Sequence, residues 1–123
     1  MKFRRDDVLT IYEILTKTTG GTVGVRDEGL LLSALEAPYQ TFGGVELFPT
    51  ILEKAVRLGY GLVANHPFVD GNKRIGILVM LTFFELNGIY VEFTDDEVID
   101  MAMGVASGKY KYEDLLEIVN GKL

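Results

Sequence analysis

The chain has no cysteine and a single histidine among its 123 residues. Without cysteine there is no disulfide framework and no thiol chemistry. Positive charge is also scarce: 12 Lys and Arg stand against 18 Asp and Glu, a net charge of −6. Nonspecific binding to DNA or RNA needs a surface that neutralises phosphate, so no direct DNA binding is expected, although the balance leaves room for a local basic pocket. Long apolar runs are missing as well. The longest, Ile75 to Phe84, is too short to span a bilayer, and the start of the chain, MKFRRDDVLT, lacks the apolar stretch of a signal peptide. No repeat or low-complexity tract is visible. The expected home is a reducing cytoplasm, with no membrane association.

What is present is apolar residue at helical spacing. With 48% hydrophobic residues, the chain is long enough for one well-formed core, and residues 1–123 read as a single domain. Asp6 or Asp7 can cap a first helix whose apolar stripe is Val8, Leu9, Ile11, Tyr12, Ile14 and Leu15. A second helix starts near Asp27, carries Leu30, Leu31, Leu32, Ala34 and Leu35, and ends at Pro38. Residues 39 to 49 differ in kind: Gly43-Gly44 lies among Tyr39, Phe42 and Phe48, which reads as a hairpin or flap. Thr50 with Glu53 forms a capping box for a third helix, which runs to about Asn65 because Pro67 cannot continue it. A fourth helix begins near Asn72. It is apolar nearly all round from Ile75 to Leu86, so it should be the buried centre. Gly76 lowers its helix propensity, and close packing against another helix is the reason to expect a glycine there. Asn87-Gly88 marks its end, Tyr90 to Phe93 could be a short extended piece, and two further helices follow, one capped by Thr94 and stopped at Ser107-Gly108, the other over about 111 to 119. The class is all-α, about six helices around a buried central one, with a small β-hairpin flap.

The chemistry is concentrated in HPFVDGNKR, His66 to Arg74. Histidine can take a proton from a hydroxyl near neutral pH. A carboxylate such as Asp70 can hold magnesium. At the start of the fourth helix the unpaired backbone N–H groups bind anions; Gly71 leaves room for close approach, and Asn72, Lys73 and Arg74 add donors and positive charge. The same residue types have ordinary uses. Asn72 can simply cap a helix, Lys73 and Arg74 can be solvated charge, and Asp70 can do no more than complement a helix dipole. Their conjunction within nine residues points instead to an enzyme that transfers part of a nucleotide.

This stretch resembles the signature of the Fic/Doc family, HxFx(D/E)(G/A)N(G/K)R, with every defined position filled. RDEGLLLSALEAP (Arg26 to Pro38), TFGGVELFPT (Thr41 to Thr50) and ELNG (Glu85 to Gly88) resemble flanking segments of its Doc, or death-on-curing, branch. The resemblance implies the Fic-type helical fold and these roles: His66 as general base, Asp70 as holder of Mg2+ and orienter of the attacking hydroxyl, Gly71, Asn72, Lys73 and Arg74 on the phosphates of ATP, and Arg74 on transition-state charge. Phe68 is expected to anchor the loop in the core, and Arg26-Asp27 to be a structural cap and ion pair. The flap residues Phe42, Gly43, Gly44, Val45 and Glu46 would bind the target backbone as an extended strand.

AMP-transferring members of the family usually read GNGRxxR. Here Lys73 stands for the second glycine and Ile77 for the second arginine, as in the Doc branch. There the lysine is understood to favour an inverted ATP, so that the γ-phosphate passes to a threonine of translation elongation factor Tu and protein synthesis stops. Pro67 and Gly71 are as Fic-like as Doc-like, and Ile75-Gly76 departs from the Thr-Ala common in Doc. AMP transfer, and a catalytically silent Fic-fold binding module, stay open as alternatives. The inhibitory pattern (S/T)xxxE(G/N) of self-restrained Fic proteins has no match. The resemblance therefore implies restraint by a cognate antitoxin, whose disordered tail folds as a helix into an exposed apolar groove.

Overall fold

A computed structural model describes residues 2–19, 24–65 and 72–123. Six helices and one hairpin follow in the order α1 (Arg5–Thr19), α2 (Glu28–Glu36), β1 (Thr41–Phe42), β2 (Val45–Glu46), α3 (Ile51–Ala64), α4 (Asn72–Leu86), α5 (Asp95–Ala106) and α6 (Tyr112–Asn120). The fold is all-α with a two-stranded antiparallel flap, as the periodicity leads one to expect. Among the described residues no helix is long and apolar enough to cross a membrane.

Local chemistry sets the boundaries. Thr50 accepts the Glu53 amide at 3.1 Å while the Glu53 carboxylate accepts the Thr50 amide, and Thr94 and Glu97 repeat this reciprocal box on α5. Asp27 caps α2 through the Leu30 amide. At α1 the expectation needs correcting. The helix starts one residue before Asp6, and Asp7 accepts the Arg4 amide at 2.9 Å from within the first turn, a position that also suits the helix dipole. After α2 the chain does not stop at Pro38 but tightens into a 3₁₀ turn, Ala37–Tyr39, with proline near its start, where no donor is lost. Gly88, at φ +80°, closes α4 in the left-handed conformation, and the Ile89 amide reaches back to the Phe84 carbonyl at 2.9 Å. Among the described residues Tyr90 to Phe93 has no strand partner.

Side chains from all six helices meet in one apolar cluster; Tyr12, Leu31, Leu62, Ile77, Met80, Phe84, Met101 and Leu115 are fully buried. Helix α4 lies at its centre, against α1, α3 and α5, and α3 adds α2 and α6 on its far side. Two expectations of burial are revised. Ile14 of the α1 stripe is 60% exposed and Leu32 of α2 is exposed too. On α4, Leu78, Leu81 and Thr82 are only partly buried. They face α1 across a groove that no other element fills among the described residues.

Glycines set the distance between α3 and α4. A Cβ on Gly59 would lie 2.8 Å from the Met80 Cβ, and one on Gly76 would lie 2.6 Å from the Val63 Cγ2 and 3.2 Å from the Gly59 carbonyl oxygen. The two backbones therefore touch where any side chain would separate them. This is the close packing anticipated for Gly76.

Candidate active site

The tight α3–α4 contact lies near the helix ends that border residues 66 to 71 in the sequence. Helix α3 delivers its end at Asn65, whose side-chain amide donates to the Leu30 carbonyl at 3.1 Å and so ties this corner to α2. Helix α4 resumes the chain at Asn72. His66, Pro67, Phe68, Asp70 and Gly71 themselves lie outside the described residues, as does the side chain of Asn72.

The described part of the site is the first turn of α4, and it is unlike its counterparts. The other five helices carry a carboxylate there: Asp6 and Asp7, Glu28, Glu53, Asp95 to Glu97, and Glu113 with Asp114. Helix α4 carries none, and Lys73 and Arg74 stand there exposed to solvent. Cations at a helix N-terminus oppose the dipole and cost stability in isolation. Together with the backbone N–H groups of a helix's first turn, such cations are of the kind that can hold an anion. One turn on, Ile77 is fully buried, so its position offers no polar group to a ligand. Among the described residues no group of His, Asp or Glu could by itself hold a metal. A magnesium ion bound to nucleotide needs only one or two carboxylates, because phosphates and water complete its shell. Asp70, two residues ahead of the helix in sequence, is of the right type.

The flap is formed as expected. Thr41 pairs with Glu46 and Phe42 with Val45, and Gly43 (φ +58°) with Gly44 (φ +81°) makes the tight turn, which needs positive φ at both central residues. Phe42 is 80% exposed and Val45 68%. The pattern did not reveal the base of the flap. Lys54 of α3 pairs with Glu46 at 2.9 Å and also donates to the Phe48 carbonyl. The available signal was a lysine on the first turn after a hairpin that bears a glutamate.

Behind the flap, Phe48 meets the Tyr112 ring edge-on at 5.2 Å. The Arg57 guanidinium lies 5.9 Å from the Phe48 ring and 5.4 Å from that of Tyr60. Its Nη1 is buried with no hydrogen-bond acceptor among the described residues, so the ring faces are its compensation. Burial, and next the charge of Glu53, push the Tyr112 hydroxyl up to about 12. A tyrosine that ionises later in the folded chain than in the unfolded one, where it titrates near 10, adds stability below that value. The contribution is lost as pH rises toward 12. Urea unfolding between pH 9 and 11.5 should therefore show stability falling with pH, and falling less steeply in Tyr112→Phe. Equal slopes would refute the shift.

Two openings border the other face of α4. One, of about 290 Å3, lies between α1 and α4 and is lined by Ile11, Ile14, Leu78, Leu81, Thr82 and Glu85. A second, of about 210 Å3, is lined by residues 89 to 93 and also by Leu81 and Glu85 of the first.

The sequence model described as the Fic/DOC family matches residues 2–84, the stretch from α1 to near the end of α4. The chain is also similar to a curated protein of Mycolicibacterium smegmatis named Toxin Doc. The two are 39% identical over 105 residues, covering 84% of this chain and 78% of that one.

Proposed function

This chain belongs to the Fic/DOC family, and from that membership we propose that it is the toxin of a toxin–antitoxin pair, a protein kinase that moves the γ-phosphate of ATP to a threonine of translation elongation factor Tu. The observation that carries the kinase reading is the start of α4. Lys73 occupies the place of the glycine that AMP-transferring relatives use, and buried Ile77 replaces the arginine with which they hold the γ-phosphate. Without that second arginine, the exposed Lys73 and Arg74 and the helix amides are the anion-binding groups at this helix start among the described side chains, and they suit an ATP whose terminal phosphate faces the incoming hydroxyl.

In this reading His66 takes the proton of the target threonine as its oxygen attacks the γ-phosphorus. Asn72, Lys73 and the α4 amides hold the phosphates, and Arg74 spans the equatorial oxygens with its planar fork. Asp70 would hold magnesium, which neutralises phosphate charge when bound. The flap residues Phe42 to Glu46 accept the target segment along an exposed edge. The similarity to a protein named Toxin Doc supports the toxin role. The opening beside α1, with exposed Ile14 and half-buried Leu78 and Leu81, is of the kind that takes the apolar face of an antitoxin helix. The site of action would be the cytoplasm.

The deciding experiment incubates the protein with purified elongation factor Tu and Mg2+, using γ-labelled and α-labelled ATP in parallel. Label from the γ position alone is the expected result. Label from the α position would make the enzyme an AMP transferase and overturn the inference from Lys73. No label from either would remove this substrate.

A further inference from the structure

The flap has almost nothing of its own to keep it folded. Each strand is two residues long, every residue from Gln40 to Leu47 is exposed, and an isolated ribbon of this size is at best marginal in water. No apolar face of the hairpin is buried, so its order must come from its roots. Those roots converge on one side chain. Lys54 is 14% exposed, and from there its ammonium reaches Glu46 on β2 at 2.9 Å, the carbonyl of Phe48 just after β2, and, 5.9 Å from its centroid, the ring of Tyr39 just before β1. Lys54 thus bonds the leaving end of the hairpin to the first turn of α3 and reaches its entering end at the Tyr39 ring, which Lys2 also covers at 4.7 Å, and the Thr50–Glu53 capping box holds that turn rigid. Phe48 packs against Tyr112 and Arg57 and fixes the same root from below. Half-exposed ion pairs are ordinarily weak. This one differs because the lysine is mostly desolvated and also satisfies a backbone carbonyl.

We propose that Lys54 is the positioning residue of the flap, a clasp that holds the hairpin extended before the target arrives. The proposal rests on the flap reading given above, in which an exposed strand edge receives the target. A strand edge that is already ordered loses less entropy on binding than one that must form. Releasing the clasp should therefore weaken target binding and leave the phosphoryl transfer step intact. Lys54 lies on the first turn of α3, while the catalytic motif follows the helix's far end. The clasp acts through the flap alone.

The test uses the full chain and two readouts on Lys54→Met, Lys54→Arg and Glu46→Gln. The first is amide hydrogen exchange at Leu47, whose N–H donates to the Gln40 carbonyl at 3.1 Å and so reports the closed hairpin. The second is steady-state kinetics with elongation factor Tu as substrate. Lys54→Met should speed Leu47 exchange about tenfold and raise KM for the factor by a similar ratio, the loss expected for a charge-assisted bond, with kcat close to wild type. Lys54→Arg should restore most of both. Glu46→Gln, at a surface position where folding is not at risk, should shift exchange in the same direction by about threefold, and it decides the matter if Lys54→Met fails to melt cooperatively. Unchanged Leu47 exchange in the folded variants would overturn the proposal, as would a fall in kcat at constant KM. If the wild-type protein labels no factor, the functional reading fails, and the exchange measurement still decides the clasp.

Discussion

Replacing His66 with alanine should lower phosphoryl transfer by roughly 10²- to 10⁴-fold, the range that a general base supplies, and should abolish growth arrest in cells expressing the protein without an antitoxin. His66 is the chain's single histidine, so no neighbour of the same type can substitute for it near neutral pH. The described residues on either side of it are held in place, Asn65 by its bond to the Leu30 carbonyl and Asn72 as the start of α4. Truncating the side chain should leave the fold and the melting temperature close to wild type, and ATP affinity should change little, because the phosphates are assigned to α4. Transfer within tenfold of wild type would remove His66 from the mechanism. Growth arrest that persists while transfer is lost would favour a silent binding module with this fold.

Gly76→Val should destabilise the protein by about 3 kcal/mol, the upper part of the range for overpacking a dense core. That is a large share of the stability of a domain this size. The β-carbon alone would stand 2.6 Å from the Val63 Cγ2 and 3.1 Å from the Val63 amide nitrogen. Val63 is fully buried, and its backbone cannot yield without moving α3. The gain in helix propensity over glycine is smaller than this cost. Pushing α3 from α4 at this point also separates the helix ends that bracket residues 66 to 71, so transfer should fall along with stability. Urea unfolding checks the first effect, with Gly121→Ala as the comparison: there a β-carbon would meet nothing closer than 3.4 Å, and the midpoint should hardly move. A Gly76→Val midpoint equal to wild type would show that the helices are less tightly opposed than described.

The helices were legible because their signals are local. Thr50 with Glu53, Thr94, Asp27 and the Asn87-Gly88 stop act within one turn of the residues they organise, and each is found where its spacing places it. The flap was legible for the same reason, since Gly43-Gly44 can take the two positive φ angles that a type I′ turn demands. Asp7 was read as the cap but lies three residues inside, because a carboxylate just before a helix and one in its first turn look alike in sequence; both favour the same dipole.

Residue order alone also placed a histidine, a carboxylate, a glycine, an asparagine and two cations at one helix start, and so pointed to a phosphate-transfer site. Other features depend on distances between segments far apart in the chain. Gly76 signals a close helix contact, but its partner surface, Gly59 and Val63, is identified only when α3 and α4 cross there. Lys54 looks like surface charge on an amphipathic helix until the hairpin folds back onto it. Leu78 and Leu81 look like core until α1 stops short of covering them. In each case the deciding quantity is whether a neighbouring element arrives within van der Waals or hydrogen-bond reach, and tertiary packing alone sets that distance.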